Sequence, residues 1–300
     1  MANVCVSLAG ISLRNPTVLV AGIMGTNAEL LCRVGKCGAG AVTGISCSLE
    51  PRSGAVNPCL LELGGALLNC VGLANPGVEA YCIELSKAVG ASDVPVFGSV
   101  AGSSVEEFGL LAERVAAAGV VAVELNLGAH SCFGRRVWNL EEIGKVVEGV
   151  KSRVKKPVFV KLAPSLGLVD NAMVAEAAGA DAITAVHSFG PGMVIDVESG
   201  TPVLSSRAGG MSGPAIKPLA LKCVYDVCSS VEIPVIGTGG VSTGRDALEM
   251  IMAGATAVGI GSGVYYRGAS VFSRVENEIK SFMNARGFSS LEEIRGLALK

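Results

Sequence analysis

The sequence has no glutamine, only two histidines, one tryptophan and 4% aromatic residues. Depletion of thermolabile amides fits a heat-adapted host. Two histidines and the lack of any C-x-x-C pair argue against a structural or catalytic zinc site. No stretch reaches the roughly 20 unbroken apolar residues of a membrane span. Neither sign of charge dominates: 24 basic residues face 26 acidic ones, for a net charge of -2. Such a surface offers no field for nucleic acid or an anionic membrane. The start, Met1 to Cys5, has no basic flank or long apolar run, so no signal peptide is expected and a soluble cytoplasmic protein is the default. Most of the ten cysteines read as small buried hydrophobes. Heat-adapted proteins also carry intracellular disulfides, which makes Cys32–Cys37 and Cys223–Cys228 the pairs to consider. Their spacing places both members on different faces of a helix, which disfavours bridging.

What is present is a repeat. Four apolar runs follow a proline: Pro16, Pro95, Pro157 and Pro234. Four others follow a glycine and a small residue, beginning at Gly38, Gly119, Gly179 and Gly254. Along the chain the two kinds alternate strictly. Proline at a strand's first position removes a donor that needs no partner there, and glycine after a helix supplies a left-handed cap. The runs are apolar throughout, as in strands buried on both faces. Helical spacing of apolar residues marks Val105 to Ala118, Leu140 to Val154, Arg245 to Ala253 and Val271 to Met283. Eight strands alternating with helices predict a single α/β domain over residues 1–300, a (β/α)8 TIM barrel, in preference to a doubly wound open sheet. Val4 to Leu8 and Ile11 to Leu13 predict a short N-terminal hairpin. Ser289 to Lys300 predicts a closing helix, with Ser290 as N-cap and Glu293 completing a capping box.

Two connections are far longer than a strand–helix unit requires: Ser46 to Pro95 after strand 2, and His187 to Pro234 after strand 6. A third, Gly128 to Asn139 after strand 4, is of intermediate length. Chemistry in this fold sits on loops leaving the C-terminal strand ends, so all three should crowd one rim. Strand 7 ends in Gly237-Thr-Gly-Gly-Val241 and strand 8 in Gly259-Ile-Gly-Ser-Gly263. Adjacent glycine turns allow backbone N–H groups to approach a phosphate. Lys161 closes the apolar run Val158-Phe-Val-Lys-Leu, where it needs an anionic partner, a Schiff-base role, or a path to the rim. Glu124 and Asn126 end strand 4 and share a face. They are either ligand contacts or members of an internal hydrogen-bond set. Leu68 to Gly77 packs amides and turn formers into an apolar loop.

Together these residues resemble the dihydroorotate dehydrogenases, in particular their soluble class 1 branch. The stretches that carry the resemblance are Leu68-Asn69 with Gly72-Leu73 and Asn75-Pro76-Gly77; Val160-Lys161-Leu162 with Pro164; Gly209 to Pro218; and Gly237 with Gly239-Gly240-Val241. The resemblance spans nearly the whole chain. It implies FMN lying across the strand ends, with Ala21 and Gly22 against the ring and Lys161 beside the pyrimidine edge of the flavin. Ser212, Gly213, Gly239, Gly240, Gly261 and Ser262 would hold the phosphate. Asn69 and Asn126 would bind the small-molecule substrate, joined by His187 and Ser188 at the end of strand 6. It further implies a homodimer, with an electron-transfer flavoprotein subunit, fumarate or another soluble acceptor as the alternatives for the oxidant.

The sequence departs from the family on the substrate side. The family's base is a cysteine in an Asn-x-Ser-Cys-Pro-Asn loop. Here the loop reads Asn126-Leu-Gly-Ala-His-Ser-Cys-Phe-Gly134, and gapless alignment places Ala129 at the base. Cys132, Ser131 and His130 are therefore the candidate bases. The family's lysine at the end of strand 2 is missing, an asparagine after strand 5 becomes Ser165, and the one ending strand 6 becomes His187. Oxidation of dihydroorotate to orotate in pyrimidine biosynthesis is the first expectation, and a paralogous FMN enzyme with another small substrate the second. An aldolase using Lys161 as Schiff base, or a non-catalytic flavin-binding electron relay, are the alternatives of other classes. Bound flavin and borohydride trapping discriminate among them.

Overall fold

Each proline-led run forms a strand, and each leading proline pairs through its carbonyl. Pro16, Pro95, Pro157 and Pro234 accept from the amides of Val258, Val42, Val123 and Ile183 on the adjacent strands, at 2.8–3.0 Å. A residue without an N–H thus still ties two strands at the barrel's floor. The four glycines that lead the other runs, Gly38, Gly119, Gly179 and Gly254, have φ of +105°, +94°, +97° and +107°. They end the preceding helices in a conformation that side chains resist. The alternation along the sequence is therefore an alternation of two ways to start a buried strand.

The computed structural model describes residues 2–128 and 138–300. The barrel strands are Thr17–Leu19, Ala41–Cys47, Val96–Val100, Ala122–Asn126, Val158–Leu162, Ala182–Ala185, Val235–Thr238 and Ala257–Ile260. They pair in parallel in chain order, and the last closes on the first through Val258↔Thr17 to Ile260↔Leu19. Every residue of the strands Val96–Val100, Ala122–Asn126 and Val158–Leu162 is buried, as strands covered on both faces require. The helices Val105–Ala117, Leu140–Lys151, Gly244–Met252 and Val271–Arg286 fall where the spacing predicts them. The second of these stops short of Val154, because the chain must extend before Pro157. The last runs past Met283 until Gly287 caps it at φ +75°.

The hairpin forms as Val6–Leu8 against Ile11–Leu13, turning through Ala9 and Gly10, both at positive φ. The closing helix does not form. Its capping box at Ser290 and Glu293 is present, but it starts a 3-10 turn, Leu291–Glu293. A second turn, Leu297–Leu299, follows Gly296 at φ +71°. The Gly296 amide bonds to the carbonyl of Ile251, so docking onto the helix Gly244–Met252 replaces a continuous α-helix. Neither cysteine pair is bridged, as their spacing implies: Cys32, Cys37, Cys223 and Cys228 are free thiols. Among the described residues no helix is long and apolar enough to cross a membrane.

The two long connections meet above the barrel. The strands Leu60–Glu62 and Leu67–Asn69 come from the first, and Phe189–Gly192 and Gly209–Ser212 from the second. They form one antiparallel sheet, joined across the insertions at Gly210↔Asn69, Met211↔Leu68 and Ser212↔Leu67. Leu68, Cys70 and Leu204 are buried beneath it in a small core of their own. This sheet roofs the C-terminal strand ends.

Candidate active site

Glu124 and Lys161 are the only Asp, Glu, Lys or Arg side chains buried among the described residues. Both lie in the barrel, on neighbouring strands. Burying a charge is costly unless its surroundings answer it, and Glu124 is answered by hydroxyls. Ser99 Oγ donates to its Oε1 and Thr184 Oγ1 to its Oε2, each at 3.1 Å. Ser46 and Ser99 hydroxyls lie 2.8 Å apart, and Asn126 Nδ2 donates to Ser46 Oγ at 2.8 Å. The set links the second, third, fourth and sixth strands. Asn126 is 4% exposed, and its Oδ1 has no hydrogen-bond partner. In register Asn126 stands opposite Lys161, which in turn stands opposite Thr184. A buried acceptor without a donor thus neighbours a buried cation, an arrangement suited to a ligand that offers both N–H and electron-rich oxygen.

The glycine turns converge beside this centre. A β-carbon on Gly240 would sit 2.9 Å from the carbonyl oxygen of Gly213, and one on Gly263 would sit 2.7 Å from that of Val241. Ser212–Gly213, Gly239–Gly240 and Gly261–Ser262 therefore form one cluster of close-packed backbone. Asp246 braces it from behind by accepting from the amides of Ser242 and Thr243, at 3.1 and 2.9 Å, and from both hydroxyls. Lys217 pairs with Asp246 at 2.8 Å and with Glu249 at 2.6 Å. Burial raises the Asp246 pKa, but these hydrogen bonds outweigh it and hold the carboxyl below its usual range.

After the first strand, Ala21 is half-buried and Gly22 exposed at φ +113°, with nothing within 4 Å of where its β-carbon would be. That opening sits at a strand end, as a flat ring requires. Asn69 anchors in the roof sheet by donating Nδ2 to the carbonyl of Gly210 at 3.2 Å. His187 packs on Gly128, where an added β-carbon would meet its own at 2.7 Å. Residue 187 as a whole is half-buried, as is Ser188. Desolvation, then the like charge of Lys161, push the imidazole down to about 3, so it is neutral at physiological pH. The candidate bases His130, Ser131 and Cys132 lie outside the described residues, as does Ala129. Ser46, Ser99, Thr184 and Asp246 are additions that sequence reading did not single out. The only signal for the first three was a hydroxyl inside an apolar run.

A closed parallel barrel with clustered glycine turns at its seventh and eighth strand ends, and a cation and amide at its centre, defines a barrel enzyme for an anionic cofactor or substrate. The comparisons narrow this class. The family model for dihydroorotate dehydrogenase matches residues 3–283. The chain is 46% identical over 297 residues to the dihydroorotate dehydrogenase B (NAD(+)) catalytic subunit of Methanothermobacter thermautotrophicus, covering 97% of each. It is 42% identical over 299 residues to the protein of the same description from Pyrococcus abyssi, covering 98% of this chain and 99% of that one. The fold is similar to that of a DHODH crystallised with ferulenol from Eimeria tenella, with a TM-score of 0.84 at 22% identity, covering 99% of this chain and 89% of that one. The chain belongs to the dihydroorotate dehydrogenase family, flavin-dependent oxidoreductases acting on a CH–CH group.

Proposed function

We propose that this chain oxidises dihydroorotate to orotate in pyrimidine biosynthesis, with FMN as its flavin. The observation that carries the proposal is the pairing of buried Lys161 with the unpartnered Oδ1 of Asn126 at the strand ends, beside the glycine cluster. The residues present fit the cofactor. The open Gly22 leaves room for a ring, and Ser212, Gly213, Gly239, Gly240, Gly261 and Ser262 present backbone and hydroxyls for its phosphate. FMN supplies a two-electron acceptor for hydride from C6 of the substrate.

The protein's own residues do the rest. Lys161 places positive charge where negative charge grows during the reaction. Asn126 and Asn69 orient the pyrimidine, and His187 and Ser188 close the far side without adding charge. The C5 proton needs a base, and Cys132, Ser131 and His130 are the residues proposed for it. Family membership favours this chemistry over the Schiff-base aldolase and over a bare flavin carrier. Relatives named as catalytic subunits of an NAD(+)-linked enzyme support a partner subunit; an electron-transfer flavoprotein in that role, a homodimeric chain and a cytoplasmic location complete the proposal. One observation favours a second substrate instead: His187 fills the position of a family asparagine and packs on Gly128, which reshapes the pocket.

The test is an anaerobic titration of the purified yellow protein with dihydroorotate. Bleaching of the flavin band is expected. A flavin that stays oxidised excludes dihydroorotate and selects the second substrate reading. Among Cys132→Ala, Ser131→Ala and His130→Ala, the variant lacking the base loses about 10²–10⁴-fold in the rate of bleaching.

A further inference from the structure

We propose that Glu124 sets the direction of a hydroxyl relay through Ser99 and Ser46, and so compels Asn126 to present its carbonyl oxygen, not its amino group, to the substrate. Glu124 and Ser99 are positioning residues in this scheme. The part concerning substrate rests on the reading of Asn126 given above, while the relay itself does not.

The protons available to the relay fix its direction. Each serine hydroxyl owns one hydrogen. A carboxylate at Glu124 only accepts, so the Ser99 hydrogen is committed to Oε1, 3.1 Å away. Ser99 Oγ can then meet Ser46 Oγ, at 2.8 Å, only as an acceptor, which commits the hydrogen of Ser46. Ser46 Oγ has no hydrogen left for Asn126. The amide group at 2.8 Å from it must therefore be the donor, Nδ2. The reversed amide would set Oδ1 against Ser46 Oγ with no hydrogen between them, inside a barrel where both residues are buried. Thr184 keeps the other carboxylate oxygen occupied by a donor, at 3.1 Å, so the chain has no second way to terminate.

The consequence is specificity. With Nδ2 held, Oδ1 is the orphan acceptor beside Lys161. The centre offers one acceptor and one cationic donor side by side. With Lys161 assigned to the pyrimidine edge of the flavin, Oδ1 is the group left for the substrate, and it selects a ring that presents an N–H there, as a reduced pyrimidine does. A ligand presenting an acceptor there meets repulsion at Oδ1. A glutamine at position 124 can donate to Ser99, which lets the relay run either way and lets the Asn126 amide take both orientations.

Two measurements on the full-length, flavin-loaded protein decide this. Neutron diffraction from crystals exchanged into heavy water should show deuterium on Asn126 Nδ2 directed at Ser46, on Ser46 directed at Ser99, and on Ser99 directed at Glu124, with neither Glu124 oxygen deuterated. Deuterium on Glu124, or Oδ1 facing Ser46, overturns the relay. Titration with orotate, followed by the flavin absorbance, should show Kd raised at least about tenfold in Ser99→Ala and Glu124→Gln, at wild-type FMN content. If Asn126→Ala loses orotate while those two variants bind as wild type, the relay is wrong and the functional reading stands. If the wild-type protein does not bind orotate, the functional reading fails, and the neutron result still decides the relay.

Discussion

The backbone of Gly240 lies against the carbonyl oxygen of Gly213, so close that a β-carbon at 240 would fall 2.9 Å from that oxygen and 2.7 Å from the β-carbon of Lys217. Gly240 also holds φ at +78°, which side chains resist. Gly240→Ala is expected to open the glycine cluster at a cost of about 1–3 kcal/mol. FMN affinity should fall by roughly 5- to 150-fold, read by flavin fluorescence quenching. Gly90→Ala, where nothing lies within 4 Å, is the control and should leave FMN binding unchanged. Equal behaviour of the two variants would remove the cluster from the cofactor site.

Asp246 predicts an acid limit on the same cluster. Its carboxylate takes four hydrogen bonds from Ser242 and Thr243 besides the ion pair with Lys217. Because its folded pKa is lowered, the stabilisation is present above the ordinary carboxylate value and is lost as pH falls through the lowered one. Flavin retention should therefore persist through mild acid and fail only in stronger acid. Asp246→Asn should weaken the loop by about 1–2 kcal/mol at neutral pH, through loss of the cap and the pair. Flavin release against pH measures both. A variant whose release profile overlays the wild type would show that the brace does not reach the cofactor.

Lys161→Met separates catalysis from stability. Removing a buried charge relieves desolvation, so Tm should hold or rise. The transition state loses its cation, and flavin reduction by dihydroorotate should slow by about 10²–10³-fold in a stopped-flow trace. The wild-type protein should not be trapped on borohydride with a carbonyl substrate. Undiminished reduction in Lys161→Met would end its assignment to the reaction centre.

How far these features were legible depends on where their causes lie. The barrel was legible because each strand starts with a residue whose backbone chemistry is local: Pro95 lacks a donor, and Gly119 accepts a positive φ. Glu124, Asn126 and Lys161 stood out as charge or amide in apolar runs and all three are buried, with Glu124 taken up by the internal hydrogen-bond set that was one of its two readings. Ser46, Ser99 and Thr184 were not. A hydroxyl in a strand is unremarkable until the register Ser46↔Ser99↔Glu124 brings three strands together. The C-terminal segment failed for the same reason. Its capping box is local and formed, while its 3-10 geometry follows from Gly296 docking on Ile251, a contact across the fold.

His187 makes the last prediction. Its imidazole is held at about 3, against an ordinary value near 6.5. Between those values the unfolded chain binds a proton that the folded chain refuses. Stability therefore declines as pH falls from about 6.5 towards 3 and levels off below that. Above pH 7 both states carry a neutral ring and the residue contributes no pH dependence. The loss at pH 4.5 is about 1–2 kcal/mol once partial exposure of the residue is allowed for. His187→Asn removes the titrating ring, so its Tm should fall less between pH 7 and pH 4.5 than that of the wild type. Parallel Tm profiles would mean that the ring protonates freely in the folded protein. In that case His187 could add a second positive charge beside Lys161 in acid, and the neutral far wall assigned to the pocket would be wrong.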